Sequence, residues 1–282
     1  REVITSLSEL FRTNLAFCSL MLPVFFTWML LSAALVILDQ GAGLPNQQPS
    51  PYLFDHVIVT LLLDGQRLWL DGTLLNQGDR LDTVAVPYYR YALLVAAGAT
   101  SLTPMDGDYR PAEVSVRHEL WVQKDQNRLQ IESQYQGEQA EQQRSQWLNS
   151  TPQAIGRRFE DYYARIYGDL VTVGAAQVSD DRQLNQLVMR ETYLTPGGQQ
   201  FVAEQGLDIY ADLLDSYLKD VDSNRTQPLM LSAPIRLKQE FLIHLPKPMQ
   251  IAPYQSTQDN AVFRFGLQVE PLDKQLLRVS YR

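Results

Sequence analysis

A chain of 282 residues with 45% hydrophobic content can bury one large core or two moderate ones, and it is too apolar to be a disordered polymer. Its 24 basic and 32 acidic side chains leave a net charge of −8 with no Lys/Arg cluster, which argues against nucleic acid as a partner. A single cysteine rules out an intramolecular disulfide framework, and three scattered histidines give no ligand spacing, so no metal and no cofactor are expected.

The first segment is apolar. From Thr13 to Leu38 there is no charged residue, enough to cross a bilayer at about 20 residues per span. Two readings stay open for residues 1–38: a membrane span, kinked at Pro23, or a buried core helix over Phe26 to Ala34. The flank sets Arg1 and Arg12 against Glu2 and Glu9, so no orientation is fixed. The length of the uncharged run favours membrane association. Cys18, the one thiol of the chain, lies inside it.

Gly41 to Pro51 reads as a polar, turn-rich loop. Phe54 to Thr73 then carries the strongest short-range signal of the chain. Asp64-Gly65 suits a two-residue hairpin turn, and its flanks predict antiparallel strands with Leu63 opposite Gln66, Leu61 opposite Leu68 and Val59 opposite Leu70. Side chains alternate along a strand, so Val57, Val59, Leu61, Leu63, Leu68 and Leu70 share one face, and this apolar face is expected to be the buried one. His56, Ile58, Thr60, Trp69 and Asp71 share the other. His56 and Asp71 become diagonal neighbours about 7–8 Å apart at the backbone, within side-chain reach. A carboxylate so placed can hold one imidazole nitrogen and leave the other for a nucleophile, the logic of a Cys/His/Asp or Ser/His/Asp site.

Downstream, Gly72 to Val84 reads as loop, and TPMDGDY at Thr103 to Tyr109 breaks both periodicities and marks a boundary. Val114 to Val122 alternates as a strand and, with the return through Leu129, Ile131 and Tyr135, predicts a hairpin. Gly137 to Asn149 is Gln-rich and helical in character. Thr151-Pro152 opens a helix whose apolar residues Ile155, Phe159, Tyr162 and Ile166 recur until Gly168. Leu170 to Val178 and Gln186 to Leu194 predict a further strand pair. Tyr210 to Val221 predicts an amphipathic helix with Asp208, Asp212 and Asp215 on its solvated face. Ile235 to Leu245 alternates as a strand, and Val262 to Val269 with Leu276 to Tyr281 predicts a last hairpin. His118 falls on an apolar strand face, as a hydrogen-bonded core histidine would. His244 falls on a polar face and is expected to be solvated.

His56, Trp69, Asp71, Gly72 and Thr73 together resemble the His-to-Asp strand pair of the transglutaminase-like (papain-like cysteine hydrolase) superfamily. More narrowly, PSPYLFDHVIV, YYARIY, VSDDRQLNQ and PIRLKQEFLIHLP resemble a bacterial envelope family. There, a domain of unknown function precedes a transglutaminase-like domain and a β-rich C-terminal region. The resemblance runs from about residue 40 to the end. It implies an α+β chain: a partial transglutaminase-like core with an antiparallel sheet over 39–104, then a β-rich domain with two covering helices over 105–282.

The resemblance also implies a catalytic set, with His56 as base, Asp71 as its orienter, Trp69 walling the channel and Cys18 as the candidate nucleophile. A protein or peptide amide would be the substrate. The family shows a polar Gly-Asp-Cys-Lys-Asp-Lys-like stretch where this chain has Ala-Phe-Cys-Ser-Leu-Met, so an incomplete triad is the leading expectation. A reading-frame disruption upstream of about residue 38 would explain the abrupt onset of similarity. Arg282 falls in or just after a strand, as in a truncated chain. The cell envelope, membrane-associated or periplasmic, is the expected location.

Overall fold

The computed structural model describes residues 30–36, 41–48, 50–63, 65–105, 109–196, 209–217, 224, 226 and 234–282. The chain is mixed α+β and divides into two compact units. The first comprises residues 1–77 and 84–110, the second 78–83 and 111–282.

The first unit is built on one sheet. β1 (Leu30–Val36) lies between β2 (His56–Leu63) and β4 (Tyr91–Leu94), with β3 (Gln66–Leu70) beyond β2 and β5 (Thr103–Pro104) beyond β4. The β2–β3 register is the one the turn chemistry predicts, with Val59 opposite Leu70 and Leu63 opposite Gln66. Gly65 takes φ +81°, a left-handed conformation that glycine reaches without a Cβ clash.

The structure departs from two expectations in this unit. The helix read over Phe26 to Ala34 is a strand from Leu30 onward, paired along its length with β2 from Leu30↔Leu62 to Val36↔His56 and with β4 at Ala34↔Leu94. A short apolar run is ambiguous by periodicity alone, and pairing on both edges gives its backbone more partners than an isolated helical turn would. Residues 1–29, Cys18 among them, lie outside the described residues. The second correction concerns the faces of the hairpin. Ile58, Thr60, Trp69 and Asp71 are buried, whereas Val57 is 54% and Leu63 37% exposed. The buried side joins Ala34, Val36, Tyr89, Ala92 and Met105 into the apolar cluster of this unit. Leu61 alone of the expected apolar set is fully buried.

The second unit carries a nine-stranded sheet. Its order is β12 (Tyr254–Asp259), β13 (Arg264–Pro271), β14 (Leu276–Tyr281), β11 (Ile235–His244), β6 (Ala112–Trp121), β7 (Gln126–Gln136), β10 (Gln186–Pro196) and β8 (Val171–Thr172), with β9 (Gln177–Asp181) also against β10. The hairpins β6–β7 and β13–β14 form as the alternation predicts. The parallel β11–β6 pair joins strands more than a hundred residues apart and could not be read from local pattern. β12 was also not anticipated, because its sequence YQSTQD carries no apolar alternation and almost all of it is exposed.

One sheet face is covered by helices α1 (Glu138–Leu148), α2 (Pro152–Tyr167) and α3 (Asp212–Tyr217). Thr151 caps α2 by accepting the Ala154 N–H at 3.2 Å, with Pro152 in the first turn, and Gly168 ends it at φ +76°. Ile155, Tyr163 and Tyr167 of α2 pack on Leu129, Ile131, Leu187 and Tyr193 from the strands. Asp212 was expected on a solvated face, but it is buried, accepting hydrogen bonds from Tyr162 Oη at 2.7 Å and from the Gln239 amide. The opposite sheet face is charged, with ion pairs such as Arg117–Glu240 and Arg190–Glu132.

Candidate functional site

The candidate site lies in the first unit, where β2 begins and β3 ends. His56 opens β2, and Asp71 follows the last residue of β3, so the hairpin register brings them side by side. The His56 Nε2 stands 2.8 Å from Asp71 Oδ2. The histidine side chain is 15% exposed and the carboxylate 1%, so the imidazole reaches solvent while its partner does not.

Burying a carboxylate is costly unless its oxygens are satisfied. Among the described residues, four donors reach Asp71. Thr73 gives Oδ1 its backbone N–H at 2.9 Å and its hydroxyl at 2.7 Å, and Tyr89 Oη donates to Oδ2 at 2.5 Å beside the His56 contact. Burial by itself pushes the carboxyl pKa up. The hydrogen bonds from Tyr89, Thr73 and His56 together overcome it and hold the group below its ordinary value, hence ionised at neutral pH. The Tyr89 ring also lies 5.8 Å from the imidazole, tilted by 42°.

With Nε2 turned to the carboxylate, Nδ1 is the ring nitrogen not engaged by Asp71. An imidazole held in this way can take a proton from a nucleophile at Nδ1 while the carboxylate stabilises the resulting cation. Trp69, expected to wall a channel, is 4% exposed and packs in the apolar cluster, with the Arg67 guanidinium 5.6 Å from its ring centre. The third expected member, Cys18, lies outside the described residues. Tyr89 and Thr73 were not assigned functional roles by sequence reasoning. Thr73 was recognisable as a residue two after an Asp, positioned for an Asx-type turn, whereas Tyr89 comes from 18 residues away and only the fold brings it in.

The second unit contains a buried polar cluster of a different kind. His118 is fully buried between Tyr167 Oη, 2.6 Å from Nδ1, and the Gln239 amide nitrogen, 3.2 Å from Nε2, and stacks on Phe241. An amide N–H can only donate, so Nε2 accepts and Nδ1–H donates to the tyrosine. Burial pulls the His118 pKa down to about 4, against a smaller upward pull from Asp212, and keeps the ring neutral. Both nitrogens are occupied and no solvent reaches them, which makes it a structural histidine. His244 is about one-third exposed, 2.9 Å from Glu119 and stacked on Trp121 at 4.9 Å.

A groove of about 250 Å³ on the charged sheet face is lined by Arg117, Glu119, Glu132 and Arg190 among others. Its cations are already matched within the sheet, at 2.7 Å for Arg117 to Glu240 and 2.6 Å for Arg190 to Glu132. Among the described residues no group of three His, Cys, Asp or Glu side chains could hold a metal ion, and no helix is long and apolar enough to cross a membrane. No protein-family model, curated protein or solved structure matches the chain.

Proposed function

We propose that this chain is a transglutaminase-like protein of the bacterial cell envelope whose first unit holds the base half of a cysteine acyl-transfer site. The observation that carries the reading is the buried Asp71 carboxylate gripping His56 through Nε2 at 2.8 Å, which turns Nδ1 to the task of proton acceptor. In a complete site of this kind, Nδ1 takes the proton of a thiol and the thiolate attacks a carboxamide or peptide carbonyl. The imidazolium then protonates the departing amine, and water or a second amine resolves the thioester. Protein or peptide amides are the matching substrate class.

Cys18 is the one thiol in the sequence, and its neighbours Phe17, Leu20 and Met21 are apolar. An apolar setting raises a thiol pKa and makes it inert. The first reading is therefore that the His56–Asp71 pair stands without its nucleophile and that the unit serves as a membrane-associated binding module. The second reading, an active acyltransferase or peptidase using Cys18, His56 and Asp71, is favoured by the four donors spent on keeping Asp71 ionised.

Iodoacetamide labelling of Cys18 in the full chain, followed between about pH 5 and pH 9, separates the two. An unpaired thiol labels along the titration of an ordinary cysteine, with a midpoint near or above about 8.5, and its profile is unchanged by His56→Ala. A paired thiolate labels rapidly below about pH 7 and loses that plateau in His56→Ala, which would overturn the first reading.

A further inference from the structure

We infer that Tyr89 is a positioning residue for the His56 imidazole, acting through the Asp71 oxygen that the two side chains share. The catalytic meaning of this contact rests on the acyl-transfer reading above, but the contact itself does not.

An ionised carboxylate offers about four lone-pair sites, and Asp71 has four donors. They are not equivalent. Both donors on Oδ1 come from Thr73, in the same turn as Asp71, and they fix one oxygen locally. Oδ2 is held by Tyr89 and His56. If His56 is the group to be oriented, it cannot also be the anchor. Tyr89 is then the donor that fixes Oδ2 independently of the imidazole, and it arrives from the segment entering β4, on the far side of the sheet from β3.

The backbone around Tyr89 is arranged for this placement. Tyr89 is 2% exposed and Ala92 is fully buried, both in the apolar cluster, although a regular strand would put residues three apart on opposite faces. Arg90 resolves the conflict by taking φ +68°, a left-handed conformation uncommon for a residue with a side chain. Close hydrogen bonds pin the kink, from Tyr89 N–H to Pro87 O, from Tyr91 N–H to Tyr89 O and from Met105 N–H to Arg90 O, each at 2.8 Å. A strained residue persists where its surroundings over-determine it, and here it turns a phenol onto the carboxylate that holds His56.

The phenol acts only as a hydrogen-bond donor to Oδ2, and no proton transfer from Tyr89 is required.

The test follows the ring N–H signals of the histidines in the intact chain by NMR at one neutral pH. Tyr89→Phe removes the donor and keeps the ring, and the His56 Nε2–H proton that faces Asp71 is expected to exchange with water about tenfold faster, the equivalent of one hydrogen bond, while the ring N–H of the buried His118 is unchanged. A merely structural tyrosine would leave that exchange rate where it is, so a Tyr89→Phe chain with a native amide spectrum and unchanged His56 exchange overturns the inference. Should that variant not fold, replacing Tyr89 by 3-fluorotyrosine keeps the core and strengthens the donor. It is then expected to slow the exchange, and no change overturns the inference equally. A changed exchange rate combined with a Cys18 labelling profile indifferent to His56→Ala supports the positioning role while removing the acyl-transfer reading. An unchanged rate with a His56-dependent profile does the reverse.

Discussion

Glu191 of β10 offers the sharpest check on the physics of the second unit. It is 6% exposed, it accepts the Tyr193 hydroxyl at 3.0 Å on one oxygen, and its other oxygen has no hydrogen-bond partner among the described residues. Burial pushes its pKa up from 4.5 to about 7, against smaller downward pulls from Tyr193 and Arg158. Because the folded value lies above the unfolded one, the folded state holds the extra proton. The contribution of Glu191 to stability is full below about pH 4.5 and lost as pH rises through about 7. Some two and a half units at 1.36 kcal/mol each make that loss roughly 3 kcal/mol.

His118 is the mirror image. Its pKa is depressed from 6.5 to about 4, so its contribution is full above about pH 6.5 and lost as pH falls through about 4. The two slopes oppose each other and nearly cancel between about pH 4.5 and 6.5, where folding in effect passes a proton from the histidine to the glutamate. Glu191→Gln, which mimics the protonated acid, removes one side of the balance. Urea unfolding of the variant and the parent at matched pH should give similar stability near pH 4.5. By about pH 7.5 the variant should be the more stable by up to roughly 3 kcal/mol. A variant-minus-parent difference that is flat across this range would refute the claim that burial holds Glu191 neutral.

Asp71→Asn replaces a charge-assisted contact worth roughly 1.5–3 kcal/mol and turns an amide NH2 toward donors. The same variant should unfold at lower urea than the parent. Thr151→Ala should lower stability by about 0.5–2 kcal/mol in thermal unfolding through loss of the α2 cap, with Thr151→Ser restoring most of it.

Local chemistry in the sequence reached far into both units. Asp64-Gly65 and the alternation around it set the β2–β3 register, and that register alone makes His56 and Asp71 neighbours. The cap at Thr151, the β6–β7 hairpin and the buried, hydrogen-bonded state of His118 follow from equally local pattern. Alternation assigns side chains to shared faces, but it cannot say which face a core will cover. Leucines and valines on one side of the hairpin suggested that side, while Trp69, Ile58, Ala34 and Tyr89 fill the other, and the carboxylate on it is tolerated because four donors converge there.

What the tertiary structure decided is therefore of one physical kind: pairings between segments distant in the chain. Leu30–Val36 became a strand because two strands bracket it, Asp212 became buried because Tyr162 and Gln239 satisfy it, and Tyr89 joined the site because a kink at Arg90 aims it at Asp71. None of these partners lies within a turn of its target, so no local period could announce them.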